Sequence, residues 1–112
     1  MNMIPIKSLK DLPQAHVLGA GTSMCAGCGG LQALHEVCDV LGRKTVIVNA
    51  AGCMTLLANY PHSPFQGSWL YTAMACAPAG AQGVRDALDI LRQQQRITAA
   101  EDLTTVVLTG DG

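Results

Sequence analysis

The chain is short of rings and of charge. Only 4% of its 112 residues are aromatic and 13% charged, although 49% are hydrophobic. Its core must therefore be assembled from Ala, Val, Leu and Gly, which suits helices lying close on a parallel sheet. The same composition suits burial of surface against other protein. A net charge of -1 gives no electrostatic reason for nucleic acid or an anionic membrane as partner. No apolar run reaches the roughly 18 to 20 residues of a bilayer span, and Met1 to Lys10 lack the apolar stretch of a secretory signal. Repeats and low-complexity segments are absent too. The expectation is one cytoplasmic α/β domain at most.

Cysteine, by contrast, is plentiful, with five in the chain. Cytoplasmic thiols are kept reduced, so clustered cysteines there point to metal binding or redox chemistry before disulfides.

Residues 1–22 read as an extended leading segment, punctuated by Pro5, Pro13, Gly19 and Gly21. Leu31, Leu34, Cys38 and Leu41 form one helical stripe, predicting a helix from about Gly30 that stops at Gly42. The β-branched run Thr45 to Asn49 does not alternate, as expected of a strand buried on both faces of a parallel sheet. A short helix over about Met54 to Asn59, then a polar and aromatic loop from Tyr60 to Ser68, would follow. The next helix is predicted from near Pro78 to about Gln94, with Ala81, Val84, Leu88 and Leu91 on one face. A second strand is expected at Thr104 to Thr109. This order predicts a parallel crossover, with ligands at the carboxyl ends of the strands. Those ends carry Gly52-Cys53 and Gly110-Asp111-Gly112.

Cys25-Ala26-Gly27-Cys28-Gly29 puts two thiols on one turn, close enough to chelate a soft metal centre. Zinc, iron–sulfur and thioredoxin-type sites all use such a pair. The thioredoxin reading is disfavoured because no apolar strand precedes it. Cys53, at the end of the first strand, is either a third ligand or a small buried residue in a tight turn. Cys38 lies on the apolar stripe and is read as core. Cys76 is read as packing before a pocket contact or substitute ligand. Asp111, flanked by Gly110 and Gly112 behind a buried strand, could meet a hard cation against diphosphate oxygens. His16, His35 and His62 do not cluster in sequence with the thiols; neither His35, read as a helix residue, nor His62, read as a loop residue, is assigned as a ligand.

In order, these residues resemble the thiamine-diphosphate-binding β subunit of 2-oxoacid:ferredoxin oxidoreductases, most closely the pyruvate type. Met24 to Gly29 looks like that family's Cys-x-Gly-Cys-Gly segment, and Asn49 to Met54 like its Ala-Thr-Gly-Cys-Met segment. Trp69, the Ala-rich stretch to Gly83 and Gly110-Asp111-Gly112 also fit. The resemblance covers about residues 19–112. It implies that residues 23–112 are the N-terminal part of a thiamine-diphosphate-binding domain, truncated at 112. It further implies that Cys25, Cys28 and Cys53 are ligands of a [4Fe–4S] cluster whose fourth cysteine lies near the far end of the full subunit. Gly52, Cys53, Gly110, Asp111 and Gly112 would line the thiamine diphosphate site, with Asp111 on Mg²⁺. The implied reaction is oxidative decarboxylation of a 2-oxoacid, with the acyl group passing to coenzyme A and electrons to ferredoxin or flavodoxin. No side chain here is implied as catalytic, because the thiamine ring's activating carboxylate comes from a partner subunit (α, with γ and δ where separate). The fragment alone is expected to be inactive.

Two departures stand out. Gly21-Thr22 replaces a Gly-His pair, and Met74-Ala75-Cys76 replaces a Phe-Glu-Asn segment, which opens the choice of 2-oxoacid. A branched-chain 2-oxoacid is therefore the alternative substrate. A small zinc or redox protein without thiamine, or a structural fragment binding neither, is the alternative of another class.

Overall fold

The computed structural model describes Ser8, Asp11 and residues 16–110. Its element order is α1 (Gly29–Leu41), β1 (Thr45–Ala50), a 3-10 turn (Cys53–Leu57), β2 (Ser68–Thr72), α2 (Ala77–Gln93) and β3 (Thr104–Leu108). The strands make one parallel sheet in the order β2-β1-β3. The expected α/β class with crossover helices is borne out.

Strand β1 has both neighbours, and its first five residues are all buried. Its pleat separates two cores. Ile47 faces a cluster with Val17, Leu18, Leu34, Cys38, Leu57 and Phe65, against which Leu31 also packs. Val46 and Val48 face the opposite cluster, with Ala77 and Ala81 of α2 and the adjoining Val84 and Leu103. A strand whose two faces both meet apolar side chains reads as a continuous hydrophobic run, as Thr45 to Asn49 does. Helix α2 comes close to the sheet because its contact residues are small. A Cβ at Gly80 would lie 3.1 Å from Thr72 Cγ2 and 3.4 Å from Val48 Cγ1.

One element is absent from the sequence reading. Ser68 to Thr72 is a strand, not the tail of a loop, and it pairs with Val46 to Ala50. It lies at the sheet's edge and is mostly exposed, so it has neither a continuous apolar run nor a clean alternation. The leading segment is also more than a lead-in. Val17 and Leu18 are buried, and Leu18 bridges antiparallel to Phe65. The Gly19 amide donates to Pro64 O at 2.7 Å, and the Gln66 amide to Val17 O at 3.0 Å. Phe65 in turn meets Trp69 edge-on, with centroids 5.3 Å apart.

An ionic clamp joins α2 to the approach of β3. Arg85 binds Asp89 at 2.7 Å, Asp102 at 2.9 Å and the Leu103 carbonyl at 3.1 Å. The Arg85 hydrogen bond holds the Asp102 carboxyl below the usual aspartate range.

The far end of α2 closes in a Schellman motif. The Arg96 amide donates to Leu91 O, and the Gln95 amide to Arg92 O. Gln95 must then adopt a left-handed conformation, at φ 57°, which glycine adopts without a side-chain penalty. Gln95→Gly should stabilise the protein by about 0.5–1 kcal/mol, seen as a higher urea midpoint at unchanged slope. A lower midpoint would mean that the Gln95 side chain contributes more than the strain costs.

Candidate cofactor site at the carboxyl edge of the sheet

Because all three strands run parallel, their carboxyl ends share one edge. Ala50 is in register with Thr72, and Asn49 with both Tyr71 and Leu108. Gly52-Cys53, Ala73 to Cys76 and Thr109-Gly110 therefore leave the sheet on the same side. Asp111 and Gly112, assigned to Mg²⁺ and diphosphate, lie outside the described residues.

Asn49 braces the edge from inside. It is fully buried, accepts from Trp69 Nε1 at 2.6 Å, and donates to Ala50 O at 2.9 Å. Its own carbonyl accepts from Thr72 Oγ1 at 2.9 Å. Beyond it, the Gly52 amide donates to Thr55 Oγ1 at 3.2 Å, and the Thr55 amide returns to Gly52 O at 3.0 Å. These bonds fix the turn carrying Cys53, which is exposed. The buried, space-filling reading of Cys53 does not hold.

Cys25 and Cys28 occupy one turn, closed by the Cys28 amide donating to Cys25 O at 3.1 Å. Gly27 between them has φ 74°, a conformation glycine takes freely. Cys28 is the N-cap of α1. The tip of Met54, the residue after Cys53, reaches the start of α1: a Cβ at Gly30 would lie 3.0 Å from Met54 Cε, and 3.8 Å from Sγ of Cys28 in its own turn.

The other two cysteines part company. Cys38 is 2% exposed, and burial, then the Asp39 charge, push its thiol pKa up. A thiol so placed stays protonated and inert, as its position on the stripe predicts. Cys76 is not packed; it is exposed. It caps α2 without a side-chain hydrogen bond and follows Ala75, whose φ of 64° is strained for an L-residue. Ala77, the first residue of α2, is fully buried in the core, whereas Cys76 just before it is turned out of that core.

Two cavities border residues 16–23. Ala20 to Ser23 and Pro61 to Pro64 wall one of about 450 Å³. The second, about 270 Å³, includes His16, Leu18, Leu31 and His35 in its wall. Here the structure makes a cluster that the sequence reading missed. Among the described residues, His16, His35 and Asp39 form a group of potential metal ligands with donor atoms within 4.8 Å of one another. The His35 and Asp39 half is legible as an i,i+4 pair on α1, whereas His16 arrives from a segment with no periodicity.

Comparison with known proteins fits this architecture. The chain is 30% identical over 103 residues to pyruvate synthase subunit PorB of Methanocaldococcus jannaschii, covering 91% of this chain and 35% of that protein. It is 31% identical over 102 residues to PorB of Methanothermobacter thermautotrophicus, covering 90% and 33%. This chain is similar to PorB over most of its own length. Ketoisovalerate oxidoreductase subunit VorB of Pyrococcus horikoshii is 30% identical over 108 residues, covering 96% and 34%. The resemblance drawn from the cysteine and glycine motifs is borne out. The chain spans about a third of the length of these PorB and VorB relatives. No family model matches it. Among the described residues, no helix is long and apolar enough to cross a membrane.

Proposed function

We propose that this chain provides the cluster-binding and diphosphate-binding edge of the thiamine-diphosphate subunit of a cytoplasmic 2-oxoacid:ferredoxin oxidoreductase, with pyruvate as substrate. The observation that supports this reading is the approach of Met54, the residue after Cys53, to Gly30 at the start of α1 behind Cys28, in a chain similar to PorB over nine tenths of its length. Residues 23–112 would be the N-terminal part of the thiamine-diphosphate domain, with residues 1–22 leading into it.

The donor set suits the proposed cluster. Cys25, Cys28 and Cys53 are all free thiols, none of them buried, and thiolate is the donor that iron–sulfur centres take. A closed site needs about four such ligands, so one further cysteine of the whole subunit would complete it. Asp111 would offer a hard oxygen to Mg²⁺, while Gly52, Gly110 and Gly112 let the backbone approach the diphosphate. Thiamine diphosphate would supply carbanion stabilisation for loss of CO₂, and the cluster one-electron transfer. This chain's residues would hold both and keep them near one another. Leu70, Tyr71 and Met74 are exposed beside the same edge, which supports contact there with other subunits of the oxidoreductase. Coenzyme A and ferredoxin or flavodoxin would complete the set of partners.

The VorB relatives favour a second reading, in which the substrate is a branched-chain 2-oxoacid. The two readings separate on the assembled enzyme. The expected result is bound iron and sulfide, Mg²⁺-dependent binding of thiamine diphosphate, and kcat/KM for pyruvate at least about tenfold above that for ketoisovalerate, a difference of about 1.4 kcal/mol. Asp111→Ala should lower thiamine diphosphate affinity by about tenfold or more with iron unchanged. A preference for ketoisovalerate would transfer the assignment to the branched-chain enzyme. Zinc on the thiols, with no thiamine binding, would sink both.

A further inference from the structure

Asp39 is a buried carboxylate on a helix face that otherwise packs a core. Its side chain is 6% exposed, and two imidazoles converge on one of its oxygens. His16 Nδ1 lies 2.9 Å from Oδ2 and His35 Nδ1 3.4 Å from the same atom. The two rings are 4.6 Å apart between centroids and tilted by 49°. Asp39 Oδ1 is buried and has no hydrogen-bond partner among the described residues. A simple ion pair explains one imidazole on one oxygen. It leaves the crowding of two rings on Oδ2 and the isolation of Oδ1 without an account. A buried oxygen with no partner costs about 1–3 kcal/mol, and more when charged.

We propose that His16, His35 and Asp39 form a binding site for one divalent transition ion, with zinc the ion that best fits. Two imidazoles and a carboxylate are a recurrent zinc ligand set, with a fourth position left to water. Bonds of about 2.0–2.2 Å in a tetrahedron place ligand atoms about 3.3 Å apart; the two histidine-to-Oδ2 separations of 2.9 and 3.4 Å bracket that value, and all three donors lie within 4.8 Å of one another. Exposure is graded as such a site requires. Asp39 lies at the base, His35 is one-third exposed and His16 half exposed. The adjoining cavity of about 270 Å³ is lined by both histidines and by Gly19, Ala20 and Gly21, so it has room for a water ligand.

The site is distinct from the thiols. His35 lies seven residues beyond Cys28 along α1, a rise of about 10 Å, and no cysteine joins the group. Its ligands are hard and borderline donors, where the cysteines are soft. A bound ion would tie residue 16 to α1 and so fix the segment leading into the Cys25 turn.

Zinc titration of the assembled protein, with X-ray absorption at the zinc edge, tests the proposal even with iron present. The expected spectrum has nitrogen and oxygen neighbours at about 2.0–2.1 Å and no sulfur shell near about 2.3 Å. His16→Asn and His35→Gln should each lower zinc affinity by about tenfold or more, and Asp39→Asn by more. Asp39→Asn risks misfolding because the residue is buried, whereas His16 is exposed enough for its replacement to spare the fold. A sulfur shell would assign the zinc to Cys25 and Cys28 and overturn the proposal. So would absence of zinc uptake, or affinity unchanged in both His16→Asn and His35→Gln.

Discussion

Cys53→Ser should strip most of the iron from the assembled protein, and Cys38→Ser should leave it in place. The two cysteines differ in environment, not in chemistry. Cys53 follows the buried strand β1, is exposed, and sits in a turn held by the two Gly52–Thr55 hydrogen bonds. Its neighbour Met54 reaches the start of α1 beside Cys28. Serine at that position replaces a soft thiolate by a hard oxygen that binds iron poorly, with nothing else in the turn disturbed. Cys38 lies among Leu34, Ile47 and Leu57, and its raised pKa keeps it a neutral thiol. There, serine places a hydroxyl in an apolar cluster, at a cost of about 1–3 kcal/mol in stability but none in iron. Iron and sulfide per protomer and the visible absorbance of both variants decide the matter. Full iron in Cys53→Ser with bleaching in Cys38→Ser would reverse the assignment.

What was legible in the sequence follows from how each residue is constrained. Thr45 to Asn49 could be read because a strand covered on both faces has one chemical solution, and the stripe Leu31 to Leu41 because a one-sided helix has another. Pro78 and the alanines around it located α2 for the same reason. Strand β2 was not legible. Its backbone pairs with β1, but as an edge strand with exposed Leu70 and Tyr71 it carries no burial pattern of its own. The candidate cofactor edge was half legible. Local spacing revealed the Cys25–Cys28 turn, and the strand end revealed Cys53, but the approach of Met54 to Gly30 depends on the fold. The His16 part of the histidine–aspartate cluster was invisible, since it depends on the pairing of Leu18 with Phe65 across a distance that no local pattern records.

Asn49→Leu should lower stability by about 2–4 kcal/mol, the largest effect expected from a single change in the sheet. Leucine matches asparagine closely in shape, so the substitution removes hydrogen bonds more than volume. Asn49 is fully buried and holds the Trp69 indole from a neighbouring strand at 2.6 Å. Without it, the Nε1–H of a half-buried ring has lost its acceptor, and the Ala50 carbonyl has lost the Asn49 amide. The penalty comes from those abandoned groups, not from the worth of the bonds themselves. A double-mutant cycle separates the contributions. Trp69→Phe removes the indole donor, so Asn49→Leu made on that background should cost about 1 kcal/mol less than it does alone. The reading is from urea midpoints of the four proteins under anaerobic conditions. Additive costs would show that the two side chains are merely adjacent. The variant should also lose iron faster on dilution, because Asn49 lies four residues before Cys53 and braces the strand end from which its turn departs. Stability lost with iron retention unchanged would separate the inner brace from the outer site and confine Asn49 to the core.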